Sequence, residues 1–266
     1  MHQPIGIFDS GLGGLTVANA IQKTLPQEQI IYFGDAAHLP YGDKSAATIQ
    51  AYSVKICDVL LSKGCKAILI ACNSASAAAY DLIKAYVGSR AQVMNVIDPV
   101  IEYVTEEYKG KKVGLIGTKQ TVGSHVYAKK LKEQSSGIEM VALATPLLVP
   151  MIEEGFHNNS ISDAIIHQYL SDKKLQGIEA LILGCTHYPL IQSKIDAYFQ
   201  YNVNIIDASK IVAEAFAKLL EDKNLLNTSE KASNTFLVSD ITPSFERAAG
   251  LFFGYKVPLE KHMLWE

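Results

Sequence analysis

Two cysteines hold matching places in this 266-residue chain. Cys72 closes the apolar run AILIA and precedes the polar pair Asn73-Ser74, while Cys185 closes ALILG and precedes Thr186-His187. A sulfur at the end of a buried strand and the start of a helix lies where α/β proteins hold ligands, and the positive helix terminus favours its thiolate. Such a thiol can take or return a proton, or attack an electrophile. A lone cysteine there is more often a small buried hydrophobe. Two of them at equivalent points, each with a polar pair, keep the catalytic reading open beside the structural one. Cys57, inside a helical pattern, and Cys65, after Gly64, read as structural.

Other polar turns end the neighbouring apolar runs. Asp9-Ser10-Gly11-Leu12-Gly13-Gly14 permits close backbone approach and opens a helix whose free N–H groups would suit an anion, or it simply caps that helix. It is neither a Walker loop nor a clean dinucleotide fingerprint. Gly117-Thr118-Lys119-Gln120-Thr121 puts hydroxyls in the same position further along. Pro40-Tyr41-Gly42-Asp43 reads as a turn, either on the surface or lining the same cleft. His187 could share a proton with a substrate group or orient a thiol, though a strand-end histidine is commonly just hydrogen-bonded. Glu153-Glu154-Gly155 reads as an acidic helix end, and the lysines at 109–112 and 173–174 as solvated loops.

Short β-branched runs at 5–8, 30–33, 67–71, 92–96, 112–116, 139–143, 180–183, 203–206 and 235–238 alternate with helical patterns, such as 45–62 ahead of Gly64 and 209–220. Continuous apolar strands separated by helices predict parallel sheets covered on both faces. A weak repeat sets the domain count. IGIFDSGLGG aligns with VGLIGTKQTV at an offset of 108, and AILIACNSA with ALILGCTHY at 113. The fold expected is α/β, with two pseudo-symmetric three-layer αβα domains, mostly parallel sheets and an active-site cleft between them. Residues 1–97 with 208–266 would form the first domain, because the 235–238 strand needs a sheet to join, and residues 98–207 the second.

Composition limits the partners. Hydrophobic residues make up 48% and charged residues 19%, which excludes a disordered chain. A net charge of −3, with only Arg90 and Arg247 as arginines, argues against a nucleic-acid reader. No apolar run is long enough to span a bilayer. No C-x-x-C pair or zinc-finger spacing points to a metal. MHQPIGIF lacks a secretory pattern, so a cytoplasmic protein with free thiols is expected.

IGIFDSGLGGLT, YFGDAAHLPYG, ACNSASA, GTKQTV with Tyr127 beyond it, PLLVPMIEEG, LGCTHYP and the 239–245 segment together resemble the glutamate racemase family over nearly the whole chain. The resemblance implies cofactor-independent interconversion of L- and D-glutamate, supplying D-glutamate for bacterial peptidoglycan, by an enzyme commonly found as a homodimer. It implies that Cys72 takes the proton from D-glutamate and Cys185 from L-glutamate. Asp9, His187 and Glu153 match residues that assist, and Ser10, Pro40, Tyr41, Gly42, Asn73, Ser74, Thr118, Thr121, Thr186 and His187 match residues that bind substrate. Asp9 could also hold the ammonium. Ser74 stands where the family more often has Thr, which keeps the hydroxyl and drops a methyl.

The residues account for such chemistry. Racemisation removes a proton from one face of a carbon and returns one to the other, so one thiol from each lobe would supply both hands. Neither arginine falls in a motif, leaving backbone N–H groups and hydroxyls to meet the carboxylates. Rival readings are an aspartate racemase, which usually carries Glu after its second cysteine, a Cys185/His187 hydrolase, a non-catalytic amino-acid-binding protein, and a pyridoxal-phosphate racemase.

Overall fold

The computed structural model describes residues 2–228, 233–241, 249–250 and 257–265. In chain order the regular elements are β1 (Ile5–Asp9), α1 (Leu15–Thr24), β2 (Ile30–Gly34), α2 (Ala46–Ser62), β3 (Ala67–Ile70), α3 (Asn73–Val87), β4 (Gln92–Asn95), α4 (Ile97–Glu107), β5 (Lys112–Gly117), α5 (Lys119–Gly123), α6 (Val126–Glu133), β6 (Glu139–Ala144), α7 (Leu148–Glu153), α8 (Ser160–Leu170), β7 (Ala180–Gly184), α9 (Gln192–Tyr198), β8 (Asn204–Ile206), α10 (Ala208–Asp222), β9 (Thr235–Val238) and β10 (Leu259–Lys261).

Local chemistry sets the helix ends. The Ser45 side chain accepts from the Thr48 N–H to start α2, and the chain leaves that helix through Gly64 at φ +75°, a conformation that costs glycine little. Thr118 caps α5 and Asp207 caps α10 in the same way. Asn159 and Ser162 form a reciprocal capping box on α8.

Two all-parallel sheets result, ordered β10-β9-β2-β1-β3-β4 and β6-β5-β7-β8. In each, the first strand has the second on one side and the third on the other, so the chain reverses its winding between β1 and β3 and again between β5 and β7. Ligands of open α/β sheets bind at such reversals, beyond the carboxyl ends of the strands. The sequence repeat is therefore a repeat of topology, with β1 matching β5 and β3 matching β7. β1, β2, β3 and β7 are buried throughout. Alternation divides the first sheet: Ile5, Ile7, Tyr32 and Leu69 join a core that continues into the second sheet, whereas Phe8, Phe33, Ile68 and Ile70 pack with Ile56, Leu60 and Ile83 of α2 and α3.

β9 pairs with β2 in the first sheet, and α10 packs on α1 and α4. β10 was not anticipated. Its three residues, a half-buried Leu and an exposed Glu and Lys, lie on the sheet edge and carry no apolar alternation to read. Residues 242–248, which hold most of the 239–245 motif and Arg247, lie outside the described residues. No helix among the described residues is long and apolar enough to cross a membrane.

Candidate active site

The carboxyl ends of both sheets line one cleft of about 620 Å³, open to solvent. Ser10 follows β1, Pro40, Tyr41 and Gly42 follow β2, and Cys72, Asn73 and Ser74 follow β3; Thr118 follows β5, Glu153 ends α7, and Cys185, Thr186 and His187 follow β7. Asp9 and Thr121 lie just behind this lining. Asp9 is completely buried and accepts from the Thr186 hydroxyl at 3.4 Å, and Thr121 shares hydroxyl bonds with Ser74 at 3.3 Å and Thr118 at 3.1 Å.

The two thiols sit in different surroundings. Cys72 is the N-cap of α3, its Sγ accepting from the Ala75 N–H at 3.4 Å and donating toward Ser10 Oγ at 3.6 Å. Burial, reinforced by the Asp9 carboxylate, outweighs those hydrogen bonds and pushes the thiol up to about 12. The expected lowering by the helix terminus is thus overruled, and Cys72 is a protonated thiol at neutral pH. Cys185 does not open an α-helix directly; Tyr188, Pro189, Leu190 and Ile191 first make a tight 3₁₀ turn ahead of α9. Its Sγ lies 3.7 Å from His187 Nδ1, and His187 Nε2 lies 2.9 Å from Glu153 Oε1. Burial works against a charge on His187, but hydrogen bonds and charge from Cys185 and Glu153 prevail, so the imidazole is held well above its ordinary pKa. The ring so placed stands within hydrogen-bond reach of the neighbouring sulfur.

The glycine turn after β1 serves an anion from the chain itself. The Asp9 carboxylate accepts the Gly11 N–H at 3.1 Å and is further stabilised by the backbone of Ser10 and Gly14, although burial still raises its pKa overall. Hydroxyls join the lobes where Ser74 Oγ meets Thr118 Oγ1 at 2.8 Å. Asn73 Oδ1 accepts from Tyr127 of α6 at 2.7 Å, and the Tyr41 hydroxyl donates to buried Asp35 at 2.6 Å.

Thr145 also lines the cleft without having been singled out, beside Pro146, Val149 and Pro150 of the PLLVPMIEEG motif. The repeat carries a signal for the first of these. Thr145 follows β6 as Asp35 follows β2, at an offset of 110, and the Thr145 N–H donates to Gly117 O as the Asp35 N–H does to Asp9 O.

Gly13 is held between the lobes. A Cβ there would overlap Thr186 Oγ1 and stand 2.5 Å from His187 Nδ1. With His187 tied to Glu153, the ring has little room to yield. Gly13→Ala is expected to lower kcat about a hundredfold while the protein stays folded. Gly123→Ala, with nothing within 4 Å of the new methyl, should remain near wild type. Steady-state kinetics beside thermal melting checks both.

With this geometry in place, comparison with known proteins is informative. The sequence profile of the family Asp/Glu/Hydantoin racemase matches residues 15–216. The chain belongs to that family. The racemase is 40% identical to a glutamate racemase of Chlorobaculum tepidum over 256 residues, 96% of this chain and 94% of that one. Its fold is similar to the crystal structure of glutamate racemase from Francisella tularensis in complex with D-glutamate, with a TM-score of 0.93, 38% identity, and coverage of 99% and 98% of the two chains. Picrophilus torridus aspartate racemase, at 19% identity and a TM-score of 0.59, shares the fold alone.

Proposed function

We propose that this racemase interconverts L- and D-glutamate without a cofactor, Cys72 and Cys185 acting as acid and base on opposite faces of the α-carbon, and that it supplies D-glutamate for peptidoglycan. The observation that carries the reading is one thiol from each sheet on the same cleft. The high identity to glutamate racemases, set against fold-level likeness to an aspartate racemase, supports glutamate as substrate. The pairing of β9 with β2 supports a domain of residues 1–97 with 208–266 facing one of 98–207.

In the L-to-D direction Cys185, as thiolate beside the His187 imidazolium, takes the α-proton, and Cys72, held as thiol by burial and by Asp9, returns one to the other face. The reverse direction exchanges the roles. Charge developing on the substrate's carboxylate meets the N-terminal N–H groups of α3 and the hydroxyls of Ser10, Ser74 and Thr118, donors already placed at the cleft. Tyr41 and Gly42 bound the other end of the substrate. Glu153 orients His187, and Asp9 positions Thr186.

Incubating the protein with L-glutamate, and separately with L-aspartate, while following circular dichroism tests the substrate. Loss of signal on glutamate alone is expected; loss on aspartate alone would overturn the assignment. The pH profile tests the base. Activity should fall on the alkaline side when His187 loses its proton, above the ordinary histidine range, and again far into alkali when Cys72, which sits near 12, ionises. Glutamine cannot carry the charge that Cys185 and Glu153 favour on this ring. His187→Gln should therefore cut the rate about a hundredfold, and an unchanged rate would contradict its role.

A further inference from the structure

Among the described residues lining the cleft, Lys119 is the only lysine or arginine, and it has no counterpart in the first-lobe turn. It opens α5 directly after Thr118, and its Nζ lies 3.1 Å from Asp43 Oδ1, which ends the Tyr41-Gly42-Asp43 turn on the other side of the mouth. The pair thus bridges the lobes at the entrance, beside the place where Gly42 packs so tightly on Thr118 that a Cβ would come within 2.7 Å of the Thr118 Cβ. Both charged side chains are more than half exposed, so the bridge is weak and readily exchanged. A dicarboxylate entering this mouth meets two lining carboxylates, Asp43 and Glu153, and one mobile ammonium.

We propose that Lys119 is a specificity-determining residue that captures the distal carboxylate of the incoming dicarboxylate, and that Asp43 holds it in competition with substrate until exchange occurs. The inference rests on the glutamate reading above and adds to it the residue that selects a second negative group. Lys119 adds uniform binding, outside the proton-transfer steps, so its removal changes KM and leaves kcat in place.

The test compares Lys119→Gln, Asp43→Asn and the double variant, using kcat and KM for L-glutamate at low and physiological salt, together with calorimetric titration by racemic glutamate. Titration reads binding whether or not turnover occurs, so failure of the racemase reading is seen separately as absent turnover in the wild type. Lys119→Gln should raise KM and the dissociation constant about fivefold, the scale of an exposed ion pair, with kcat within twofold and the salt dependence of kcat/KM flattened. Asp43→Asn should move both constants the other way, by about twofold, and the double variant should match Lys119→Gln. Two results would overturn the proposal: unchanged binding in Lys119→Gln, or weakening of the same sign in both single variants. The second would make the pair a mere clasp between the lobes.

Discussion

Alanine at Cys72 or at Cys185 is expected to abolish racemisation, each variant losing at least about 10⁴-fold in kcat, while the melting temperature moves little. Neither truncation removes more than one sulfur, and each buried thiol borders the cleft. The two losses should also differ in kind. With Cys72→Ala, Cys185 still faces L-glutamate beside its imidazolium and can exchange the α-proton of that enantiomer with solvent, but nothing reprotonates the opposite face. With Cys185→Ala, exchange is confined to D-glutamate and is slower at neutral pH, because the Cys72 thiol sits near 12. Proton NMR in D₂O reads both. Exchange of both enantiomers by one single variant, or racemisation above a trace, would show that a single base reaches both faces. Retained activity in Cys72→Ala alone would instead favour a Cys185/His187 nucleophile.

The second large effect is on stability, at the end of the first sheet away from the cleft. Lys66, just before β3, places its Nζ 2.6 Å from Glu28 Oε2, just before β2, and both side chains are 2% exposed. The other oxygen of Glu28 accepts the Asn227 N–H at 2.7 Å, tying down the chain beyond α10. Lys66→Met keeps the aliphatic stem but leaves a buried carboxylate without its cation, a change that costs about 3–5 kcal/mol. Urea denaturation should show that loss with unchanged kinetics in the surviving folded protein. Glu28→Gln with Lys66→Met should recover part of it, since no uncompensated charge then remains. A single variant within about 1 kcal/mol of wild type would mean that the pair contributes little to the fold.

How much of this was legible beforehand depends on how local each signal is. Nine strands and the duplication follow from apolar runs and a repeat, because a buried parallel strand is apolar on both faces and a duplicated unit repeats its turns, whereas the strand order within each sheet is visible only in the structure. Cys72, Asn73, Thr118, Cys185 and Thr186 were legible for the same reason, each standing at a strand end. The Glu153–His187 contact was not, as no spacing rule links residues 34 apart on different helices and turns. Thr145 was missed because a lone threonine announces no chemistry. The burial of Asp9, and the dominance of burial over the helix terminus at Cys72, depend on what packs around them in three dimensions. Motif pattern names a carboxylate and a thiol; only packing sets their charge.

The central claim is that two sulfurs, one on each side, carry the proton. It is tested most directly by letting the wild-type protein act on L-glutamate in D₂O and stopping at a few per cent conversion. Separating the enantiomers and reading the α-position by mass spectrometry should find deuterium in the D-glutamate formed and protium in the L-glutamate remaining, since the proton leaves on one thiol and a solvent-equilibrated deuteron arrives from the other. D-glutamate that keeps its original proton would mean that one base carries it across, and the two-thiol account would be wrong.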